Sequence, residues 1–293
     1  MMPIEAIFPP ALILLAGALL LFFLPQGFRS WFSLLLPLLT LGLVWAMPPG
    51  RHFVLELMDY RLIVCQVDQL SRVFGIIFAL ITFIGCLFAF HVKETGQQVS
   101  ALLYAGGALG ATFAGDFITL FAFCELMAVA STYLIWARGD KEAQKAGMRY
   151  LLMHLFGGGL LFAGILAHTV ETGSILIEQL TDRSSLSAWL ILAGVALNAA
   201  VIPLHAWLPD AYPRATVTGA VFLSALTTKT AVYVLLRIFP GWEILIAMGV
   251  LMTLYGVVFA VLANDIREIL AYHIISQVGY MVAGAGIGTQ LAV

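Results

Sequence analysis

The sequence predicts an all-α polytopic membrane protein, and three observations carry that prediction. Of 293 residues, 62% are hydrophobic and only 10% charged, whereas soluble domains carry about 25% charge. Mean hydropathy is +1.01. The apolar residues fall in repeated runs of roughly 20, the length an α-helix needs to cross about 30 Å of hydrocarbon. They do not alternate over segments of about 10 residues, as the strands of a membrane barrel would. A net charge of −2 offers no basic surface for nucleic acid and no acidic tail. Cys65, Cys86 and Cys124 form neither a CxxC pair nor a Cys/His cluster, so no disulfide framework, metal site or iron–sulfur cofactor is expected.

About ten spans follow in order. The first, 6–24, lies in "MMPIEAIFPPALILLAGALLLFFLPQG", which lacks a basic leader and has Glu5 as its first charge; a retained helix is expected, not a cleaved signal. The second is 30–47. The connector "PPGRHFVLELMDYRLIVCQV", 48–67, alternates and is rich in β-branched residues, which predicts a short hairpin against the membrane face. Spans at 68–91, 98–115, 117–137, 147–170, 187–208, 214–237, 242–263 and 268–290 complete the count. With the N-terminus outside, the inner loops collect Arg29, Lys93, Arg138, Lys141, Lys145, Arg149, Arg214 and Arg267. The outer loops then hold Arg51, Arg61, Arg72, Arg183 and Arg237. That bias favours both termini outside.

Several spans hold residues that hydrocarbon disfavours. Glu125 sits mid-span in "FITLFAFCELMAVASTYLIWA", where an ionised group costs at least about 2.5–3.5 kcal/mol. Ala122, Ala128 and Thr132 share its side of the helix, so a contact between small residues is expected there. Glu125 reads as a protonatable transport site, with a hydrogen-bonded structural acid as the alternative. Lys229 lies midway between Arg214 and Arg237 among Ser224, Thr227, Thr228 and Thr230, too deep for its stem to snorkel easily to either surface. Burial lowers a lysine's proton affinity and a nearby carboxylate restores it, which makes such a group switchable.

"LNAAVIPLHAWLPDAYPRATVTG" places Pro203, Pro209 and Pro213 beside Asn198, His205, Asp210 and Arg214, which predicts one discontinuous helix. Broken helices in membranes face protein or a water-filled cavity and recur at ion sites of transporters. His205 reads equally as a structural histidine or a proton relay, and Asp210 with Arg214 as an ion pair or cap. In the last span His273, Gln277 and Tyr280 form a stripe suited to bound water or to interhelical hydrogen bonds. His154, ahead of three glycines, reads as structural. The aromatic-rich spans read as packing, not as a quinone site.

"FAFCELMAVAS", "PLHAWLPDAYPRATVTG", "LSALTTKTAVYVLLR" and "NDIREILAYHIISQVGYM" together resemble the antiporter-like subunits of respiratory complex I, Mrp-type cation/proton antiporters and membrane-bound hydrogenases. The D-type Mrp subunit is the nearest in flavour, and the resemblance covers roughly residues 60–293. It implies two inverted five-helix repeats, each with a broken helix, after N-terminal helices. On that mapping 1–97 are N-terminal helices and connector, 98–237 the complete first repeat, and 238–293 the first two helices of the second. The family pattern continues through a second broken helix with another buried Lys or Glu, so half of such a subunit is expected here. The family's buried glutamate matches Glu125, and the lysine one helix after the break matches Lys229. The lysine expected five residues before the Pro203 position is Asn198, which puts the usual glutamate–lysine gating step in doubt. The family's lysine at the Arg267 position is also replaced.

The expected function is proton translocation, with Na+ or K+ exchanged in an antiporting member, in a multi-subunit complex in the bacterial inner membrane. Glu125 and Lys229 would exchange protons, with His205 and His273 as relays. The partners implied are other membrane subunits and the lipid bilayer; any NADH or quinone chemistry would belong to those subunits. A non-conducting assembly or coupling subunit is the rival. An oxidoreductase in this chain alone is weakest, because no cofactor motif exists.

Overall fold

The computed structural model describes residues 8–57 and 60–289. Glu5, the first residues of the expected 6–24 span, residue 290 of the last span, and Met58 and Asp59 of the connector lie outside the described residues. The helices are α1 Pro10–Leu20, α2 Gln26–Ala46, α3 Gln69–Phe88, α4 Thr95–Phe113, α5 Phe117–Trp136, α6 Lys141–Thr172, α7 Leu186–Asn198, α8 Trp207–Ala211, α9 Val217–Ala225, α10 Thr227–Ile238, α11 Glu243–Leu262 and α12 Ile266–Ile287. Between α2 and α3, β1 Gly50–Leu57 pairs antiparallel with β2 Tyr60–Val67, as the alternation in the connector predicts.

Among the described residues seven helical segments are long and apolar enough to cross a membrane. The expected 6–24 and 187–208 spans correspond to the shorter apolar stretches Pro10–Phe23 and Leu186–Asn198. The 98–115 span is α4, buried at 15 of its 19 positions and packed by α1, α2, α3, α5 and α9. It also meets β2; a helix enclosed by protein needs small side chains more than apolar ones, which is why α4 is rich in Gly, Ala, Ser and Thr.

The chain divides into two compact units, Met1–Ala137 with Thr216–Leu226, and Arg138–Ala215 with Thr227–Val293. In the first, Asp116 joins hairpin to helix. Its Oδ1 accepts from Thr119 N at 2.7 Å to cap α5, while Oδ2 accepts from Ile63 N of β2 at 2.6 Å and from the Thr119 hydroxyl at 2.7 Å. Gly115 N returns a bond to Ile63 O at 2.9 Å. Asp68 and Ser71 form a reciprocal capping box at the start of α3.

In the second unit α6 packs on α7, and α11 on α12. A Cβ at Gly256 of α11 would fall 2.5 Å from the Ser276 backbone nitrogen of α12, so that pair closes to backbone contact only through glycine. Asp140 caps α6 through Ala143 N at 2.7 Å and pairs with Arg138 at 2.7 Å. The cap bond, then Arg138, holds its carboxyl below the usual range.

The predicted break is present: α7 ends at Asn198 and regular helix resumes only at Trp207. Ala200 N bonds Leu197 O at 3.0 Å and Val201 N bonds Ala196 O at 2.9 Å, a Schellman pattern with Ala200 in the left-handed position, φ 55°. The expectation of a single discontinuity needs correcting. The expected 214–237 span is also interrupted, at Leu226 between α9 and α10. No proline or glycine marks it, and the chain passes from one compact unit to the other there.

Candidate functional site

Glu125 lies near the middle of α5 in the first unit and is half-buried. Among the described residues its carboxylate has no hydrogen-bond or ion-pair partner. Of the small residues expected on its own side, Ala128 and Thr132 are buried, at 4% and 1% exposed, and Ala122 is exposed. The close approach is made on another face. A Cβ at Gly107 of α4 would sit 2.7 Å from Met127 Cγ and 3.2 Å from Phe123 O. The glycine that permits this approach belongs to α4, and Glu125 is not part of that contact.

The remaining candidates fall in the second unit. Lys229 is the third residue of α10, three positions beyond the interruption at Leu226, and is half-buried. Thr228 and Thr230 flank it, buried, with hydroxyls that have no hydrogen-bond partner among the described residues; their bonding capacity is open to water. Asn198 closes α7 with its Oδ1 buried and unpartnered among the described residues. His205 stands in the break with its ring edge-on to Tyr255 of α11 at 4.5 Å and its Nδ1 buried without a partner among those residues. His273 and Gln277 are exposed on α12 and Tyr280 is 61% exposed, so this stripe points away from the packed face of its helix.

Two clusters escaped the sequence reading. Asp210 does pair with Arg214, at 2.7 Å, but it also receives Arg149 as a two-pronged donor at 2.7 and 2.8 Å. Arg267 donates to the Pro213 and Ala215 carbonyls at 2.9 and 3.0 Å. The α8–α9 connection is therefore held by arginines from distant helices on both sides of it in the chain, which residue spacing could not foretell. The second cluster is aromatic: Trp207 packs at 5.4 Å from Tyr150, 4.6 Å from His154 and 5.6 Å from Tyr212. Its Nε1 donates to Leu197 O at 3.0 Å, which ties the two sides of the break. The four-residue spacing of Tyr150 and His154 was the available signal.

The sequence pattern of the NADH:quinone oxidoreductase/Mrp antiporter transmembrane family matches residues 114–293. The chain belongs to this family. All four motifs lie inside the matched region of this antiporter-family chain, as their combined order implied. The D-type subunit of the Na(+)/H(+) antiporter of Alkalihalophilus pseudofirmus is 32% identical over 252 residues, 78% of this chain and 51% of that protein. In fold, the chain matches one from an archaeal membrane-bound sulfane sulfur reductase with a TM-score of 0.81 at 23% identity, covering 94% of this chain and 63% of that one. It matches a chain of respiratory complex I from Thermus thermophilus with a TM-score of 0.80 at 22% identity, covering 96% and 64%. The chain spans about half the length of the relatives it matches in sequence.

Proposed function

We propose that this chain is a proton-translocating membrane subunit of a multi-subunit Mrp-type antiporter or complex I-like assembly, with Na+ or K+ as counter-ion in the antiporting case. Membership of the family supports the class. The observation that carries the chemistry is Glu125, an ionisable group in the middle of a membrane-length helix with no hydrogen-bond or ion-pair partner among the described residues. A carboxyl so placed is held cheaply only when protonated, so it loads and unloads protons as its surroundings change.

Lys229 is the complementary group. It follows a helix interruption, where freed backbone groups favour water, and buried hydroxyls flank it. His205 and His273 are the relay candidates. The finer arrangement is part of the same reading: ten spans, residues 98–237 as the first of two inverted repeats, 238–293 as the opening of the second, both termini outside, and the bacterial inner membrane as location. Redox chemistry, where the assembly has any, belongs to partner subunits.

The test replaces Glu125 with Gln and follows cation-dependent ΔpH in inverted vesicles containing the assembled complex. Transport should be lost at normal assembly; unchanged transport would remove Glu125 from its role. Asn198 at the usual lysine position favours a second reading, an assembly or coupling subunit that conducts nothing. On that reading the same variant lowers the yield of complex and leaves transport per complex untouched.

A further inference from the structure

We propose that His154 of α6 is a proton-carrying residue of the transport path, accepting and releasing its proton at Nε2 while Nδ1 stays bound to the Tyr150 carbonyl. The inference rests on the proton-translocating reading above and adds a residue to it. His154 is 4% exposed, and its Nδ1 lies 2.9 Å from Tyr150 O. A carbonyl only accepts, so Nδ1 carries the hydrogen in the neutral ring and Nε2 keeps a bare lone pair. That nitrogen is buried with no partner among the described residues. A leucine or phenylalanine would fill the same space without leaving a polar atom unsatisfied, so packing alone does not call for an imidazole.

The surroundings suit a ring that alternates between charge states. Protonation at Nε2 keeps the Nδ1 bond, so the ring charges and discharges without turning. Tyr150 stacks on it at 4.0 Å, tilted by 31°, and Trp207 meets it at 4.6 Å. Desolvated aromatic groups offer a buried cation part of the stabilisation that water would otherwise supply. The titratable or charged groups on the elements packed most against α6 are Asp210 of α8 with Tyr212 and Arg214 beyond it, and α7 carries none; on α6 itself Tyr150 and Arg149 lie nearest in sequence, with Lys141, Glu142, Lys145, His168 and Glu171 towards its two ends. Asp210 is already committed to Arg149 and Arg214. The place is also apt: Trp207 is the residue that ties the break to Leu197. In the loading step a hydronium ion gives its proton to Nε2 and leaves as water; the reverse step restores the neutral ring.

The experiment compares wild type, Glu125→Gln, His154→Phe and His154→Gln, each full chain expressed with its partner subunits, by initial ΔpH rate across a pH series and by yield of assembled complex. Phenylalanine keeps the ring packing, and glutamine keeps a donor for Tyr150 O; neither binds a proton. Both His154 variants should assemble yet transport at least ~10-fold more slowly, with the pH profile altered. A normal rate in either assembled variant, or failure of both to assemble, overturns the proposal. If wild type moves no protons, or Glu125→Gln changes nothing, the underlying functional reading falls; if Glu125→Gln abolishes transport and His154→Phe does not, only the assignment of His154 falls.

Discussion

Removing the Asp116 carboxylate tests whether one buried side chain holds the β-hairpin to α5. Asp116 is 0% exposed, and its two oxygens take three hydrogen bonds, from Ile63 N, Thr119 N and the Thr119 hydroxyl. In Asp116→Ala the N-cap is lost, which costs about 0.5–2 kcal/mol. Ile63 N is left as a buried donor, which costs a further ~1–3 kcal/mol. The expected destabilisation is therefore about 1.5–5 kcal/mol. At the ~2 °C per kcal/mol expected of a chain this long, Tm should fall by roughly 3–10 °C in a thermal scan of the detergent-purified protein. Asp116→Asn is the informative companion. Asparagine caps a helix as well as aspartate does, so one oxygen serves Thr119 N while its amide group faces Ile63 N and cannot accept. Its fall should be smaller than that of the alanine variant. If Asp116→Asn melts with the wild type, or if Asp116→Ala moves Tm by less than about 1 °C, the bridge to Ile63 contributes nothing.

Two other substitutions probe the backbone of the second unit. Ala200 holds φ 55°, a conformation that costs a non-glycine residue about 1–2 kcal/mol. Ala200→Gly removes that strain at some entropic cost in the unfolded chain, so Tm should rise by roughly 1–2 °C with the break intact. Gly256→Val places a Cβ 2.5 Å from Ser276 N and 2.7 Å from Tyr272 O. Backbone cannot yield as a side chain can, so α11 and α12 must part; a loss of about 1–3 kcal/mol should appear as a lower melting temperature and a reduced monodisperse peak in size exclusion.

Much of this protein was legible before any coordinates. Hydrocarbon penalises every unpaired polar group, so composition and run length alone specify a helical membrane protein. The prolines at 203, 209 and 213 mark the break for the same backbone reason. Alternation and β-branching located the hairpin, and the four motifs in order pointed to the family. Other features had no local signature. The interruption at Leu226 carries neither proline nor glycine, so helix propensity could not announce it. The closest approach of α4 to α5 had no such signature either, because it is set by Gly107 of α4 against Met127 and Phe123 of α5.

The division follows from the reach of the forces involved. Solvent preference and backbone stereochemistry act on a residue and its near neighbours, and so the sequence by itself determined the membrane class, the positions of most helices, the first break, and Glu125 and Lys229 as groups with a cost to offset. Partnership joins residues distant along the chain. Only the tertiary structure decided that Asp116 serves Ile63, that Arg149 and Arg214 share Asp210, and that, among the described residues, neither the Glu125 carboxylate nor the His154 Nε2 beside Trp207 has a hydrogen-bond partner.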